Sequence, residues 1–565
     1  MRSRVAALLL ASITIAPIAK GAATDPVPAR HGMVASTSPI ASQVGVDVMK
    51  KGGNAVDAAV AVGLALAVTW PSAGNLGGGG FLLYRAADGA SEIVDYRERA
   101  PLAATRDMYL DAAGKVIEGR STEGHLASGV PGTVAGHALA HARHGKLPWK
   151  DVVEPARRLA AEGFIVPHHL ARGLSGERTR KKLAKFPESR RIFLGDGKPL
   201  EEGARFIQPE LAATLARIQK DPRDFYEGKT AGLIVAEMAA HGGMITARDL
   251  AEYEPTIRAP LKGAYRGFEL LTMPPPSSGG IALIQMLGMI EKHDVASMGH
   301  GSADALHLLL EAMKRAFADR AKHLGDADFA NVPVRGLLAP AYVAALGSGI
   351  DPERATPSRT IAAGDPAPEE SRETTHFTIV DPEGNIVANT YTLNDGYGSG
   401  VTVKGAGFLM NDEMDDFTSR PGTPNLYGLV QGEANAIAPR KRPLSSMTPT
   451  IVLREGRPWF ALGSPGGPTI INTVFQVIVN VVDFHMDIQQ AVSAPRIHHQ
   501  WLPDQVEWEP FGVNPDARRL LEQRGHVFDE RAGEMGDVQA IMIDPKTGVK
   551  LGASDPRLGG ASAGY

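Results

Sequence analysis

Two threonines stand where a predicted hairpin would bring them together. Residues from Thr374 onward alternate like a strand, and residues 382–384, Pro-Glu-Gly, suit a three-residue turn between Asp381 and Asn385. In such a loop proline takes the second position of a type I turn and glycine takes the left-handed bulge position. This register places Thr374 directly opposite Thr392, with Cβ atoms about 4.5–5.5 Å apart. A four-residue loop would break the register.

The pair could act as a nucleophile and a hydroxyl that orients it. A threonine hydroxyl is a weak nucleophile unless a base lies beside it, and a free N-terminal amine on the same residue can be that base. A loop-like tract, Arg359 to Arg372, leads directly into Glu373 and Thr374. Self-cleavage between Glu373 and Thr374 would need a tract of this kind. Threonine is also a good strand former, so the geometry alone leaves a purely structural role open.

The composition excludes several other chemistries. The chain has 565 residues, 43% of them hydrophobic, and no cysteine, which rules out disulfides and thiol mechanisms. A net charge of −4 argues against nucleic acid as the main partner. No H-E-x-x-H motif occurs, and the adjacent His498 and His499 would point to opposite faces of a strand. We therefore expect that catalysis requires neither a metal nor an organic cofactor.

The N-terminus has the order of a secretory signal peptide. Arg2 and Arg4 precede an apolar run from Val5 to Ala19, and small residues follow it at positions 21–23. The run is shorter than the roughly 20 residues that a stable membrane span needs. We expect cleavage near residue 23 and a periplasmic or secreted protein with no membrane span in its mature form.

Other patterns predict the elements that must position the threonines. Asn54 and Asp57 suit the cap of a buried helix that continues to Trp70, and Ser302 suits the cap of another amphipathic helix. The glycine-rich residues 75–80 run into a strand-like segment, so they predict a backbone bend and not a phosphate loop. From Thr374 onward short strands dominate. They are predicted at residues 376–380, 386–392, 450–454 and 459–462.

Several spaced motifs together resemble the γ-glutamyltranspeptidases (γ-glutamyltransferases), which are N-terminal-nucleophile hydrolases. The similarity extends from Ala35-Ser36-Thr37 to Ala553-Ser554-Asp555-Pro556-Arg557 and thus covers nearly the whole mature chain. Its most specific motifs are Thr374-Thr375-His376, Thr390-Tyr391-Thr392-Leu393-Asn394, Asn411-Asp412-Glu413-Met414-Asp415-Asp416-Phe417, Pro443-Leu444-Ser445-Ser446-Met447 and Gly463-Ser464-Pro465-Gly466-Gly467.

The resemblance implies a role for each matching residue. Thr374 matches the nucleophile, Thr392 the hydroxyl that orients it, and Gly466 and Gly467 the two backbone donors of the oxyanion hole. Arg97 matches the arginine that binds the α-carboxylate of the substrate, with help from Ser445 and Ser446. The residues that bind the α-amino group of the substrate are matched by Asn394, Glu413 and Asp416. Residues 420–432, with Tyr427, resemble a lid loop that some members of the family have.

The resemblance also implies the fold class, the processing and the partners. The expected fold is α+β, a four-layer αββα sandwich built jointly by two subunits of one proenzyme. Residues 1–23 would be the signal peptide, 24–373 the large subunit and 374–565 the small subunit that begins with Thr374. The two subunits would remain together as a heterodimer. The donors would be glutathione and other γ-glutamyl compounds, and the acceptors amino acids, dipeptides or water.

Two alternatives stay open at this stage. A cephalosporin-type acylase of the same family would accept a glutaryl group, which lacks the α-amine, but that substrate would leave Asp416 unpaired. The other alternative is an inactive periplasmic binding protein. The presence of Thr374, Thr392, Gly466 and Gly467 together argues against it.

The first testable prediction is self-cleavage between Glu373 and Thr374. Denaturing electrophoresis of the purified protein should resolve a large fragment and a small one that begins at Thr374. The variant Thr374→Ala should remain a single chain because it lacks the attacking hydroxyl. If that variant still matures at the same bond, Thr374 is not the nucleophile.

Overall fold

The computed structural model describes residues 23–197, 200–366 and 376–565. The predicted signal peptide therefore lies almost entirely outside the described residues, and so do Glu373 and Thr374. Within the described ranges, no helix is both long and apolar enough to cross a membrane.

The strands are short and spread along the chain. They are β1 (Val27–Ala29), β2 (Met33–Ser36), β3 (Gly79–Arg85), β4 (Ser91–Asp95), β5 (Phe164–Ile165), β6 (Arg205–Phe206), β7 (Thr256–Arg258), β8 (Leu261–Tyr265), β9 (Phe268–Thr272), β10 (Phe377–Val380), β11 (Ile386–Thr392), β12 (Thr450–Arg454), β13 (Arg457–Leu462), β14 (Ile497–His498), β15 (Glu507–Trp508), β16 (Gln539–Ile543), β17 (Lys550–Ser554) and β18 (Ala561–Gly564).

Helices dominate the part of the chain before residue 350. They are α1 (Pro39–Lys50), α2 (Ala55–Thr69), α3 (Thr133–His144), α4 (Trp149–Glu162), α5 (His168–Ser175), α6 (Glu177–Ala184), α7 (Pro187–Leu194), α8 (Pro209–Lys220), α9 (Asp224–Glu227), α10 (Lys229–Ala240), α11 (Ala247–Ala251), α12 (Gly279–Ile290), α13 (Val295–Met298), α14 (Ala303–His323), α15 (Val334–Leu337), α16 (Pro340–Ser348), α17 (Thr469–Val482), α18 (Ile488–Ser493) and α19 (Pro515–Arg524). Short 3₁₀ turns occupy His125–Ala127, Gly195–Gly197, Ser358–Thr360, Glu413–Asp416 and Glu433–Asn435.

Two seven-stranded sheets organise the fold. The first has the strand order β1-β17-β16-β13-β12-β9-β8, and the second has the order β18-β2-β10-β11-β3-β4-β7. Neighbouring strands are antiparallel in the first sheet and in the second. The fold is therefore a mixed helix-and-sheet fold with antiparallel sheets.

Segments on both sides of residue 374 contribute to both sheets. Strands β1, β8 and β9 join later strands in the first sheet, and β2, β3, β4 and β7 join later strands in the second. Backbone hydrogen bonds of both sheets therefore connect the stretches before and after this position. The predicted processing site is thus not a boundary between independent domains.

The hairpin of β10 and β11 has the predicted register. Phe377 faces Asn389 and Thr378 faces Ala388, as the three-residue loop requires. Gly384 has φ +92°, in the left-handed region that favours glycine. Thr374 lies outside the described residues, so its pairing with Thr392 stays a prediction.

The two predicted helix caps are confirmed. The Asn54 side chain accepts the backbone N–H of Asp57, whose carboxylate accepts the Asn54 N–H at 3.0 Å. Helix α2 behind this cap is buried along its whole length. At the start of α14, the Ser302 hydroxyl accepts the N–H of Ala305 at 3.1 Å. These caps satisfy backbone donors that a helix start would otherwise leave without a partner.

Other local predictions also hold. Strand β3 begins at Gly79, so the glycine-rich segment leads into a strand. His498 and His499 are buried and have different partners: His498 contacts Asn472 at 2.7 Å and His499 contacts Asp504 at 3.3 Å. The predicted strands agree with β10 to β13 within two residues.

Candidate active site

A cavity of about 760 Å³ lies beside the end of β11 and the start of α17. The cavity is lined by nine of the residues that the sequence predicts as site residues. These are Thr392, Asn394, Glu413, Asp416, Tyr427, Ser445, Ser446, Gly466 and Gly467. Glu373 and Thr374 lie outside the described residues. His376, two residues after the predicted nucleophile, also lines the cavity.

Arg97 lies directly behind the cavity wall and is fully buried. Its Nη2 donates to Asp416 Oδ2 at 2.6 Å, and its Nη1 donates to Glu413. The Nε group donates to the carbonyl oxygen of Pro443 at 3.3 Å. The two acidic residues that the sequence assigns to the α-amino group are therefore ion-paired with the arginine assigned to the α-carboxylate.

Asp95, at the end of β4, fixes the backbone that carries Arg97. Its Oδ1 accepts the Arg97 N–H at 3.0 Å, and its Oδ2 accepts Nε of Arg258 at 2.6 Å. Arg442 approaches the same carboxylate at 3.2 Å. Burial opposes the ionisation of Asp95, but Arg442 and Arg258 outweigh it and hold its pKa below the usual value. Arg97 is thus held by a buried anion that has cationic partners of its own.

Two acidic groups beside Arg97 are shifted towards the neutral form. Burial raises the pKa of Glu413 well above its usual value, although Arg97 opposes the shift. Burial also raises the pKa of Glu98 to about 7 against the same arginine. Glu98 Oε2 lies 3.6 Å from Arg97 Nη1, and neither Glu98 carboxylate oxygen has a hydrogen-bond partner among the described residues. One guanidinium therefore faces three acidic side chains, and burial disfavours the ionised form of two of them, Glu413 and Glu98.

The end of β11 carries Thr392 and Asn394 into the cavity. Thr392 Oγ1 accepts the N–H of Asn394 at 2.9 Å, while Asn394 Nδ2 donates to the carbonyl oxygen of Asp412 at 3.0 Å. Asn75, at the start of the glycine-rich bend, donates to the Thr392 carbonyl oxygen at 2.8 Å. The Asn394 N–H therefore holds the Thr392 hydroxyl, while Asn75 holds the Thr392 backbone.

Gly466 and Gly467 form a bend immediately before α17. Their φ angles are +132° and +55°, a region that side-chain-bearing residues rarely adopt. A Cβ atom on Gly467 would come within 2.9 Å of the Tyr427 ring. Among the described residues, neither N–H donates to a protein acceptor. Two backbone donors at the positive end of a helix dipole can stabilise an anion in this cavity.

Tyr427 closes one side of the cavity. Its hydroxyl donates to the Asn394 carbonyl oxygen at 2.8 Å, and its own carbonyl accepts from Gln500 at 2.9 Å. The preceding residue, Leu426, donates its N–H to Asp415 at 2.9 Å. Three hydrogen bonds thus hold the predicted lid loop in place in this structure.

His376 anchors the start of β10. Its Nε2 donates to the carbonyl oxygen of Gln539 in β16 at 2.8 Å, and burial lowers its pKa to about 3. A neutral imidazole in this position connects the two sheets, two positions after the predicted nucleophile in the sequence.

Sequence reasoning missed Arg320. This buried residue of α14 donates through Nη2 to Ser446 Oγ at 3.2 Å and through Nε to Ser278 Oγ at 2.9 Å. Ser278 in turn donates to the Ser445 carbonyl oxygen at 2.7 Å. A single arginine on an amphipathic helix gives no sequence signal, because most such residues face solvent.

Comparisons with known proteins agree with this arrangement. A sequence model of the family described as gamma-glutamyltranspeptidase matches residues 41–565. The glutathione hydrolase proenzyme of Escherichia coli (strain K12) is 49% identical over 97% of this chain and 95% of its own length. The protein of that name from Pseudomonas sp. (strain A14) is 44% identical over 99% of both. The crystal structure of a cephalosporin acylase from Bacillus halodurans matches with a TM-score of 0.85, at 29% identity over 99% of both chains.

The chain therefore belongs to the γ-glutamyltranspeptidase family. The family resemblance predicted from the motifs is confirmed, and with it the class of enzyme, a γ-glutamyltransferase and glutathione hydrolase. The roles assigned to individual residues stay predictions.

Replacing Glu98 should change how stability depends on pH. Between its ordinary value of 4.5 and its raised pKa of about 7, Glu98 binds a proton in the folded protein but not in the unfolded chain. This group therefore makes the free energy of unfolding fall as pH rises through that window. Urea titrations at several pH values should give a shallower fall for Glu98→Gln. The exposed Glu201→Gln is the control and should follow the wild type. Identical pH slopes for Glu98→Gln and wild type would contradict the assignment.

Proposed function

We propose that this protein is a γ-glutamyltransferase and glutathione hydrolase whose nucleophile is the N-terminal threonine of a self-cleaved chain. The observation that carries the proposal is the ion-paired group of Arg97, Glu413 and Asp416 at the cavity wall. The name of the E. coli relative, a glutathione hydrolase proenzyme, supports both the activity and the processing.

The charged group suits the amino-acid end of a γ-glutamyl donor. That end carries a carboxylate and an ammonium on one carbon, so it needs a cation and an anion close together. Arg97 can bind the carboxylate through two N–H groups, while Asp416 and Glu413 accept from the ammonium. When the donor binds, its carboxylate pairs with Arg97 and its ammonium pairs with the two acidic residues. These contacts replace the direct ion pairs between Arg97 and the acidic residues. Because every buried charge keeps a partner, the exchange avoids the cost of an isolated buried ion.

Ser445, Ser446 and Asn394 complete the recognition of the donor. The serine hydroxyls assist at the carboxylate, and Arg320 holds Ser446 Oγ from behind at 3.2 Å. Asn394 supports the amino group from the end of β11. Tyr427 limits the access of water and acceptors from the lid side.

Maturation begins with attack of the Thr374 hydroxyl on the Glu373 carbonyl. The peptide nitrogen leaves as the acyl group shifts to oxygen, and water hydrolyses the resulting ester. This frees the α-amine of Thr374 and gives a large subunit, residues 24–373, and a small one, residues 374–565. The hairpin register of β10 and β11 supports the position of Thr374 opposite Thr392.

The two subunits remain joined as a heterodimer in a four-layer αββα sandwich. Residues of both sheets share one apolar cluster, in which Phe81 and Leu83 of β3 meet Leu271 of β9 and Ile451 of β12. Helix α2 packs on β10 and β11, while α12 packs on β8. The pairing of early and late strands in each sheet supports continued association after cleavage.

Catalysis then proceeds by acyl transfer. The Thr374 α-amine, directly or through one water, takes the proton of the Thr374 hydroxyl, and the oxygen attacks the γ-carbonyl of the donor. The amides of Gly466 and Gly467 stabilise the oxyanion, at about 2.7–4 kcal/mol per donor. Collapse expels the amine half of the donor, such as Cys-Gly from glutathione, and leaves a γ-glutamyl ester on Thr374. Water or an amino-acid or dipeptide acceptor resolves the ester, which gives ping-pong kinetics.

The order of basic, apolar and small residues over positions 1–23 supports export. The protein would then act in the periplasm or outside the cell.

Paired substrates test this function. The mature protein should hydrolyse a γ-glutamyl anilide at least roughly 100-fold faster than a glutaryl anilide, because the glutaryl group leaves the buried acidic residues without an ammonium partner. Comparable rates would favour a glutaryl acylase, and no turnover of either substrate by fully cleaved protein would favour an inactive binding protein.

Arg97→Lys should raise the donor KM roughly 10-fold or more, because it keeps the charge but loses the paired N–H groups. It should still mature.

Arg99→Lys is the matched control for that variant. Arg99 lies two residues away and donates to the carbonyl oxygen of Glu254, outside the cavity lining. Its donor KM should stay close to the wild-type value. An unchanged KM in Arg97→Lys would remove Arg97 from donor recognition.

A further inference from the structure

Two histidines and a glutamate converge at a second place in the fold. His125 Nε2 lies 3.0 Å from Glu237 Oε1, and His241 Nε2 lies 3.6 Å from the same oxygen. One ligand atom from each residue lies within 4.8 Å of the others. None of the three residues lines the cavity of the candidate active site.

The backbone brings these side chains together from distant positions. Glu237 belongs to α10, and His241 follows one turn later at the helix end, so both lie on the same helix face. His125 begins a separate 3₁₀ turn. The two imidazole rings stack at 4.7 Å between centroids with an angle of 25°.

The geometry fits a small divalent cation. A zinc ion holds nitrogen and oxygen ligands at about 2.0–2.2 Å in a tetrahedron, which sets neighbouring ligand atoms about 3.3–3.5 Å apart. The distances of 3.0 and 3.6 Å to Glu237 Oε1 lie on either side of that spacing. Imidazole and carboxylate together are a ligand set that zinc and similar transition-metal ions accept. Glu237 Oε2 is held by the N–H of Lys404 at 3.3 Å, which orients the carboxylate.

We propose that His125, Glu237 and His241 bind one zinc-like divalent metal ion, with the fourth position open to water. The His241 side chain is 55% exposed, which leaves that position accessible to solvent. Three protein ligands and one open position also allow exchange of the ion. The site is separate from acyl transfer and needs no residue of the donor cavity.

Metal binding would strengthen the contact between the parts of the chain before and after residue 374. Glu237 contacts Lys404 across that division, and the Gly124 N–H donates to the Ser399 carbonyl oxygen at 2.9 Å beside His125. An ion bound to the folded protein and not to the unfolded chain stabilises the folded form. The thermal midpoint should therefore rise on addition of zinc.

The test uses tag-free, chelator-treated full-length protein and Zn²⁺ alone. Equilibrium dialysis followed by elemental analysis should give one zinc per chain for the wild type. His125→Asn and Glu237→Gln should each lose this zinc, together with the thermal shift. His168→Asn is the matched control, because His168 forms an exposed pair with Glu202 at 2.8 Å, outside the described three-residue group. That variant should keep one zinc per chain.

Cobalt gives an independent readout. Co²⁺ added to wild-type protein should produce the visible absorption of a four-coordinate nitrogen–oxygen site, and Glu237→Gln should abolish it. Less than about half a zinc per wild-type chain at about 100 µM free Zn²⁺ would overturn the proposal. So would undiminished binding in both His125→Asn and Glu237→Gln.

Discussion

A fully buried arginine constrains the cavity wall that we propose binds the donor. The Arg97 guanidinium has no exposed surface, so it requires anionic partners inside the protein at every stage. Glu413 and Asp416 supply them from a 3₁₀ turn of the later part of the chain, while Asp95 fixes the backbone from the earlier part. An amino-acid substrate offers the same combination of charges. Arg97 is therefore paired without substrate, and the charges of this wall are complementary to one carbon that carries both signs.

Local chemistry explains what the sequence could predict. The Pro-Glu-Gly loop determines the register of β10 and β11, because few turns join two antiparallel strands over so short a distance. Asn54 and Ser302 mark helix starts for an equally local reason, the unsatisfied N–H groups of a first turn. The site residues came from the joint pattern of family motifs. On sequence alone Arg97 would be taken for a surface ion pair, and the structure instead places it in a buried one.

Contacts between distant residues explain what the sequence could not predict. Arg320 reaches Ser446 across more than 100 positions, and His125 meets Glu237 in the same way. The interleaving of early and late strands in both sheets depends on pairings of this kind. Periodicity within one segment carries no information about which other segment will cover it. The raised pKa of Glu98 likewise depends on burial by several elements.

In the mechanism that we propose, Thr374 carries the acyl group during turnover. The most direct measurement is a rapid acid quench of the mature protein with a γ-glutamyl donor, followed by proteolysis and mass spectrometry. The γ-glutamyl mass should appear on the peptide that begins at Thr374, and it should disappear when an acceptor amine is added before the quench. A label on any other peptide would show that a residue other than Thr374 is the nucleophile.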